Sequence, residues 1–212
     1  MSANSTSGFV SCRWLKGLSA CESPVVFTVK DKKYILRKMR RTDYEAARDL
    51  LPLVSRCQQQ LTEADLSIIL EQPTYLPFCC FAAAPDMGAT HTAAASPEVS
   101  CTGSNGCAEA ARANAGNTDS ASSEGPLCGF CEVYIQPHLG RAADGRLERV
   151  VIHPSFRGQG LGTQMCRLVL QIAQKQLSLG RIDLTVEKDD ARHIYTKLGF
   201  EPVPTETLRL SF

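Results

Sequence analysis

The chain has 212 residues, and its 23 lysine and arginine residues are balanced by 22 aspartate and glutamate residues. This length suits one globular domain with additional segments, and the near-neutral charge excludes a general electrostatic attraction to nucleic acid or to membranes. No apolar run approaches the roughly 18 residues of a membrane span, and residues 1–30 lack the apolar core of a signal peptide. We therefore expect a cytoplasmic protein that binds neither nucleic acid nor membrane.

The ten cysteines of the chain are scattered rather than clustered. Without a secretion signal a disulfide framework is not expected, and we predict buried, reduced thiols instead. Cys128 and Cys131 have the spacing of half a zinc site. They fall in a predicted strand, where residues three apart point to opposite faces, so we expect no metal site.

The first part of the chain alternates predicted strands and helices after a polar start. Residues 1–22 are rich in serine, asparagine and glycine and are predicted to be disordered. Strands are expected at 25–29 and 34–39. A capping box at Thr42 and a cap at Thr62 each predict a helix.

A long segment of unusual composition interrupts the predicted domain, which spans 23–212. After a predicted strand at 78–83, residues 84–125 contain mainly alanine, serine, threonine, glycine and asparagine. Such a segment buries too little apolar surface to offset its ordering entropy. We predict a disordered loop inserted between two neighbouring strands, which is tolerated because closure entropy grows only logarithmically with loop length.

The last part of the chain again alternates strands and helices. The predicted segments are a strand at 128–135, a connector at 136–145, a strand at 147–152, a helix from 161 to about 177, a strand at 182–186, a helix at 189–198 and a strand at 207–212. This order of elements predicts an α+β fold in which helices flank a mixed central β-sheet.

A glycine-rich loop joins the strand at 147–152 to the following helix. Gly158, Gly160 and Gly162 carry no Cβ, so successive N–H groups can turn toward one centre at the positive end of the helix. Such a loop is typical of an anion cradle for a pyrophosphate, and Arg157 adds a positive charge. The loop lacks the Lys-Ser/Thr of a P-loop, and its spacing differs from the dinucleotide fingerprint. A dinucleotide site using Glu187 and a tight turn without ligand remain alternatives.

Two motifs resemble the GNAT superfamily of acetyl-CoA-dependent N-acetyltransferases. Arg157-Gly-Gln-Gly-Leu-Gly162 resembles its Arg/Gln-x-x-Gly-x-Gly/Ala loop, and Ala191-Arg-His-Ile-Tyr-Thr-Lys-Leu-Gly-Phe200 resembles its A-x-x-x-Y-x-K-x-G-F helix. The resemblance implies the GNAT fold, with acetyl-CoA in a V-shaped gap between 147–152 and 182–186 and no metal. The residues that it assigns to the coenzyme are Val150, Val151, Ile152, Arg157, Gly158, Gln159, Gly160, Leu161, Gly162 and Thr163.

The resemblance also implies two catalytic residues. Tyr195 matches the family's tyrosine, the general acid for the coenzyme A thiolate, and a phenol with a pKa near 10 keeps its proton at neutral pH. Packing in the core is the alternative role for Tyr195. Glu148 is a carboxylate on an otherwise apolar strand, and we expect it to act as the base or to bind the substrate. His153 and His193 are expected to be structural.

Within the superfamily, residues 34–39, 61–63 and 147–152 resemble the glucosamine 6-phosphate N-acetyltransferases, homodimers in the pathway to UDP-N-acetylglucosamine. The resemblance implies a small-molecule amine substrate whose phosphate meets cations of the C-terminal segment, namely Arg192, Lys197 and Arg209. Other small amines, protein amines and a non-catalytic acetyl-CoA-binding regulatory role remain alternatives.

Overall fold

The computed structural model describes residues 12–57, 59–84, 124–186, 189–206, 208 and 210. Within them, one six-stranded sheet forms the centre of the molecule, with its strands in sequence order. All neighbouring strands are antiparallel except the last two, which are parallel. The strands are β1 (Val25–Val29), β2 (Lys32–Lys38), β3 (Tyr75–Ala83), β4 (Glu124–His138), β5 (Arg141–Ile152) and β6 (Ile182–Asp183).

Five α-helices lie on this sheet in the described part of the chain. They are α1 (Arg13–Gly17), α2 (Tyr44–Leu50), α3 (Glu63–Leu70), α4 (Leu161–Gln171) and α5 (Asp189–Lys197). Single 3-10 turns occupy Leu18–Glu22, Arg41–Asp43, Leu51–Leu53 and Pro154–Phe156, and a π-helical turn, Ile172–Gln176, extends α4. The predicted mixed α+β sheet with flanking helices, the GNAT fold, is confirmed.

The two faces of the sheet bury separate apolar clusters. Helix α4 contributes Met165 and Val169 to one cluster, which we call the α4-side cluster. Helices α2 and α3 contribute Leu50 and Leu66 to the other cluster. Each large apolar side chain that leaves water in this way stabilises the fold by about 1.5–3 kcal/mol. The helices are therefore held by their apolar faces, and none in the described residues is long and apolar enough to cross a membrane.

The predicted cap of α3 is confirmed, whereas the cap before α2 lies elsewhere. Thr62 Oγ1 accepts a hydrogen bond from the amide of Asp65 at 3.2 Å. Before α2, Asp43 Oδ2 accepts from the amide of Arg40 at 2.6 Å, so the helical turn begins ahead of Thr42. The reason is that Asp43 turns inward and also binds the guanidinium of Arg37.

Arg37 is a charged residue inside the fold, with only 3% of its surface exposed. Its guanidinium lies 4.5 Å above the ring of Phe81 and binds two carboxylates at once. Nη1 donates to Asp43 at 2.6 Å, and Nε and Nη2 donate to Glu124 at 2.6 Å each. A buried charge needs such partners, because an unpaired one is strongly destabilising.

The prediction of disorder at 1–22 is wrong for its described part, residues 12–22. This segment forms α1 and the following 3-10 turn because Trp14, Leu18 and Cys21 pack against the α4-side cluster. The contact is close: a Cβ at Gly17 would lie 2.0 Å from the carbonyl oxygen of Gln176. Residues 1–11 lie outside the described residues.

The predicted connector at 136–145 is a tight hairpin instead. Strand β4 runs to His138, strand β5 begins at Arg141, and Gly140 turns the chain with φ +87°. The polar composition that suggested a loop belongs to an ion cluster around Asp144, which is 1% exposed. Asp144 binds Arg141 at 2.8 Å, His138 at 3.1 Å and Arg181 at 3.2 Å.

Two other predicted strands also differ from the structure. β6 contains Ile182–Asp183 alone, so the strand predicted at 182–186 is too long. For the strand predicted at 207–212, only Leu208 and Leu210 are described, and both are exposed and outside any strand.

The predicted insertion separates two strands that lie side by side. Ala83 at the end of β3 pairs with Glu124 at the start of β4, so residues 85–123 are inserted between antiparallel neighbours. The prediction of disorder at 84–125 is wrong for Glu124 and Gly125, which belong to β4, and residues 85–123 lie outside the described part of the chain.

The predicted burial of free thiols is confirmed for six described cysteines: Cys21, Cys79, Cys80, Cys128, Cys131 and Cys166. The argument that Cys128 and Cys131 point to opposite faces is wrong, since both belong to the α4-side cluster. The register of β4 against β3 shifts between Cys80 and Phe81, which makes Cys128 an extra residue and reverses the alternation there. The described residues contain no group of three or more side chains that could hold a metal ion.

Candidate active site

The glycine loop owes its shape to backbone conformation. Gly158 has φ +70° and Gly160 has φ +84°, a region that L-residues adopt at a cost of about 1–2 kcal/mol. A Cβ at either position would meet no atom within 4 Å, so conformation and not space requires glycine. At Gly162 a Cβ would lie 3.2 Å from Ile152 Cγ1, so this glycine lets α4 begin close to β5.

The loop delivers the uncapped N-terminus of α4. Gly160 is its N-cap and offers no side-chain acceptor, and the amide of Gln164 donates to the carbonyl of Gly160 at 3.1 Å. The amides before Gln164 have no carbonyl partner within the helix, and the helix dipole makes this end positive. Arg157 Nε donates to the carbonyl of Ile152 at 2.8 Å, which holds the guanidinium beside the loop.

The structure brings the predicted coenzyme residues together at the end of β5. Val151 is buried on the side of α2 and α3, whereas Val150 and Ile152 pack toward α4. Gly158 and Gly160 are exposed on the loop, Gln159 and Thr163 are half-buried, and Leu161 is buried. Their coenzyme role remains a prediction, and the glycine loop leads directly into the start of α4, as an anion cradle requires.

A gap opens beside β5 in the region that the resemblance implies. Within the described residues, β5 pairs with β6 only at Gly145 with Ile182 and at Arg146 with Asp183. Strand β5 continues to Ile152, while the chain after Asp183 leaves the sheet. The gap is part of a cavity of about 700 Å³ that includes Glu148, Val150, Leu184 and Val186 in its walls.

The two predicted catalytic residues line this same cavity. Helix α5 presents Ala191 and Tyr195, which lie four residues apart on one face. Tyr195 is half-buried and packs edge-on against Phe200, with ring centroids 5.9 Å apart. Burial, assisted by Cys166, Cys131 and Glu148, raises the pKa of Tyr195 to about 12. Its hydroxyl therefore keeps its proton at neutral pH.

Glu148 is held in the cavity wall by a neighbouring arginine. Arg146 forms an ion pair with the Glu148 carboxylate through Nε, and its Nη2 donates to Thr185 Oγ1 at 2.7 Å. Arg146 thus connects strand β5 with the segment that leaves the sheet after β6, and this fixes one edge of the gap.

A bulge in β5 changes which side chains face the cavity. Phe130 pairs with Val151, and Glu132 pairs with Glu148. Between these two pairs β5 contains one residue more than β4, which is a β-bulge. Arg149 lies at this bulge with φ +49°. In a regular strand consecutive side chains point to opposite faces, but here Glu148 and Arg149 both line the cavity.

A buried carboxylate that we did not predict lies behind Arg149. Glu132 is 3% exposed and accepts hydrogen bonds from Tyr75 Oη at 2.9 Å, Tyr134 Oη at 3.1 Å and Arg149 Nη1 at 2.7 Å. Burial and the charge of Glu132 raise the pKa of both tyrosines, so both remain donors. A carboxylate within an apolar strand was a visible signal, the same one that pointed to Glu148.

The structure does not bring the predicted phosphate-binding residues to the cavity. Arg192 and Lys197 are exposed on α5 and are absent from the cavity walls, and Arg192 pairs with Asp189 at 3.6 Å. Their assignment to the substrate was based on position in the chain, and the structure leaves both side chains exposed and outside the cavity walls. Arg209 and Glu187 lie outside the described residues.

The two histidines considered in the sequence have different surroundings. His153 Nδ1 accepts a hydrogen bond from the amide of Ser155 at 3.3 Å, which stabilises the turn after β5. His193 is exposed on α5.

Comparisons with known proteins agree with this fold. Residues 97–200 match the model of the acetyltransferase (GNAT) family. The spermidine N(1)-acetyltransferase of Escherichia coli (strain K12) is 32% identical over 79 residues, which are 36% of this chain and 41% of that protein. The chain thus aligns with about two fifths of the length of this curated relative.

Solved structures share the fold at low sequence identity. A Trypanosoma brucei acetyltransferase has a TM-score of 0.57 and 19% identity, with coverage of 84% of this chain and 99% of that one. The glucosamine-6-phosphate N-acetyltransferase of Arabidopsis thaliana has a TM-score of 0.55 and 13% identity, with coverage of 84% and 97%. The protein shares the fold of the GNAT acetyltransferases, and residues 97–200, slightly less than half of the chain, are similar to the model of that family.

Proposed function

We propose that this protein is an acetyl-CoA-dependent N-acetyltransferase. The observation that carries the proposal is that Tyr195 and Glu148 line one cavity, which adjoins the gap beside β5. The anion cradle of the glycine loop follows directly on the same strand. The match of residues 97–200 to the model of the acetyltransferase (GNAT) family supports the same reaction class.

The residues at the end of β5 fit the coenzyme. The amides at the start of α4 and the Arg157 guanidinium bind its pyrophosphate, and main-chain groups of Val150, Val151 and Ile152 pair with its amide-containing arm. Acetyl-CoA supplies the acetyl group as an activated thioester. The remaining chemistry consists of proton transfers, for which the chain has its own groups.

Glu148 removes the proton from the acceptor amine. An alkylammonium with a pKa near 10.4 is neutral in only about 0.04% of molecules at pH 7, so a nearby proton acceptor raises the rate. The Glu148 carboxylate lines the cavity, and its pairing with Arg146 fixes its position there. Glu148 also attracts a cationic amine electrostatically.

Tyr195 donates a proton to the sulfur that leaves. A donor is needed because the departing group is otherwise a thiolate. Since burial raises the pKa of Tyr195 to about 12, the hydroxyl is protonated throughout the neutral range.

For the acceptor, we propose glucosamine 6-phosphate, whose acetylation yields N-acetylglucosamine 6-phosphate for UDP-N-acetylglucosamine synthesis. An amine beside electron-withdrawing hydroxyls loses its proton more readily than a lysine, which suits a site with one carboxylate base. We further propose a homodimer, which the resemblance implies, and a cytoplasmic location. A second candidate is a polyamine or another amine, which the relative named for spermidine favours.

The experiment is an acceptor screen with acetyl-CoA, in which thiol release is followed. Glucosamine 6-phosphate, glucosamine, spermidine and a lysine peptide are compared by kcat/KM. The highest value is expected for the phosphorylated sugar, and Glu148→Gln is expected to lower the rate with every amine. A higher value for spermidine would replace the proposed acceptor. The absence of thiol release with every amine tested would contradict the proposed reaction. Sedimentation equilibrium tests the dimer.

A further inference from the structure

The guanidinium of Arg149 is fixed in place before any acceptor arrives. Its Nη1 donates to the buried Glu132 carboxylate at 2.7 Å, and its Nε lies 3.5 Å from Ser55 Oγ on the turn after α2. The side chain therefore spans from β5 to a different layer of the fold. A guanidinium held in this way loses little further freedom when it binds a ligand.

Arg149 also faces the cavity. Its side chain is 41% exposed, whereas that of Glu132 is 4% exposed, so the ion pair has one buried end and one accessible end. Among the described residues, the hydrogen bonds of the guanidinium use Nη1 and Nε and leave Nη2 for another acceptor. Arg149 and Ser55 are both in the cavity wall.

The ion pair with Glu132 leaves the Arg149 guanidinium able to bind a second anion. Two tyrosine hydroxyls donate to the same carboxylate, so its charge is shared among three donors. Arg37 of this chain shows that one guanidinium binds two carboxylates, since it contacts Asp43 and Glu124 together. Both anions that Arg37 binds are carboxylates of the protein. Arg149 binds one such carboxylate, and the rest of its guanidinium borders the cavity.

The bulge places this cation next to the proposed base. Glu148 and Arg149 are consecutive, with Cα atoms about 3.8 Å apart, and both line the cavity. A small acceptor therefore meets a carboxylate that suits its amine and a guanidinium that suits an anion. A polyamine offers only cations, which Arg149 repels.

We infer that Arg149 binds an anionic group, phosphate or carboxylate, carried by the acceptor beside its amine. This inference rests on the proposed N-acetyltransferase function and assigns acceptor specificity to a residue that lies outside the C-terminal segment. Glu132 is the positioning residue that fixes the guanidinium through its buried carboxylate.

Matched acceptor pairs test the inference. Glucosamine 6-phosphate is compared with glucosamine, and β-alanine with propylamine, so that phosphate and carboxylate are tested separately. In the wild-type protein, at least one pair is expected to favour its anionic member roughly tenfold or more in kcat/KM, as for one charge-assisted hydrogen bond. Arg149→Gln is expected to reduce this ratio to about one. Arg149→Lys is expected to retain part of it, because it keeps the charge without the planar fork.

Three controls separate the possible outcomes. Arg48→Gln removes a half-buried arginine on α2 that is absent from the cavity wall, and it is expected to leave the ratio unchanged. Thermal unfolding of Arg149→Gln checks that the variant is folded. Glu132→Gln is expected to raise KM for the anionic acceptor more than for its neutral partner.

The inference is overturned if wild type treats both members of each pair alike. It is also overturned if Arg192→Gln, and not Arg149→Gln, abolishes the preference. Acetylation of neutral and anionic amines at equal rates would leave the proposed function standing, whereas failure with every amine would contradict both.

Discussion

Two glutamates that face each other across neighbouring strands have different surroundings. Glu132 and Glu148 are paired in register, where like charges on one face would repel. Glu132 is buried and has three hydrogen-bond donors, whereas Glu148 borders the cavity and pairs with Arg146. The first carboxylate thus binds three donors of the protein, and the second borders the cavity, where we propose that it meets the acceptor amine.

Tyr195→Phe tests the proposed acid at the level of a single oxygen atom. The variant keeps the ring that packs against Phe200, so the fold and coenzyme affinity should change little. We expect kcat to fall on the order of 100-fold, because the lost proton donor acts only as the thiolate leaves. Single-turnover kinetics and calorimetric binding of the coenzyme would measure the two effects separately.

The pH dependence provides a check on this assignment. With the pKa of Tyr195 raised to about 12, the wild-type rate should show no loss from tyrosine ionisation near pH 10. An unchanged kcat in the phenylalanine variant, with chemistry limiting, would leave Tyr195 a packing role only.

The sequence pointed to Tyr195 and Glu148, which both lie in the cavity wall, but not to Arg149, which lies there too. The tyrosine was visible through its motif, and the glutamate through its apolar neighbours. A regular alternation places Arg149 on the opposite face from Glu148, and the bulge that reverses this depends on pairing with β4. Such pairing is a long-range property that local periodicity does not contain.

At the scale of elements, substitutions in the glycine loop can separate the effect of backbone strain on stability from the effect of ligand contact on coenzyme binding. Gly160 and Gly140 both have positive φ and open space around the Cβ position, at 84° and 87°. Aspartate at either position should cost at most about 1–2 kcal/mol of stability. Only Gly160→Asp should abolish coenzyme binding, because it places a negative charge at the anion cradle.

Isothermal calorimetry with acetyl-CoA on the two folded variants measures this difference. Gly140→Asp lies in the distant β4–β5 hairpin and serves as the matched control. Unchanged affinity in folded Gly160→Asp would show that the loop does not bind the pyrophosphate.

The β4–β5 hairpin should make stability depend on pH. The hydrogen bond from Arg141 lowers the pKa of Asp144, with Arg181 and His138 adding to this effect and burial opposing it. Since the folded pKa lies below the unfolded value of about 3.9, Asp144 stabilises the fold above that value and loses its contribution as pH falls through the folded pKa.

Asp144→Asn should therefore lower stability at pH 6, by about 3 kcal/mol, and lower it less at pH 3. Urea unfolding at both pH values measures the difference, and Asp189→Asn changes an exposed carboxylate as the control. An equal loss at both values would show that the Asp144 charge does not contribute.

The elements that sequence reasoning missed were stabilised by distant contacts. The hairpin at 136–145 looked like a loop because its polar residues find partners such as Arg181 only in the folded chain. Residues 12–22 looked disordered because their few apolar side chains are far in sequence from the π-helical turn that covers them. The strands and helices with regular periodicity were predicted, apart from their ends.

At the scale of the whole molecule, the insertion after β3 should be dispensable for folding. Ala83 and Glu124 are already neighbours, so a short turn can join the two strands after residues 86–123 are removed. A roughly tenfold shorter loop favours folding by about 2 kcal/mol of closure entropy. Glu124 must remain, because it pairs with the buried Arg37.

The shortened protein should unfold cooperatively, with a midpoint at least as high as that of the full chain, and should retain its kcat. Differential scanning calorimetry and the thiol-release assay measure both. A broad, non-cooperative transition would show that the inserted residues contribute to the core.

The alkylation rates of the buried thiols report how often the fold opens locally. Cys12 is exposed and should be alkylated rapidly, whereas burial raises the pKa of Cys131 and of Cys166, both in the α4-side cluster. Because a thiol reacts as its thiolate, these two can react only when the sheet and α4 separate. Their labelling rates, followed residue by residue with a mass spectrometer, would therefore give the frequency of that separation without any engineered probe.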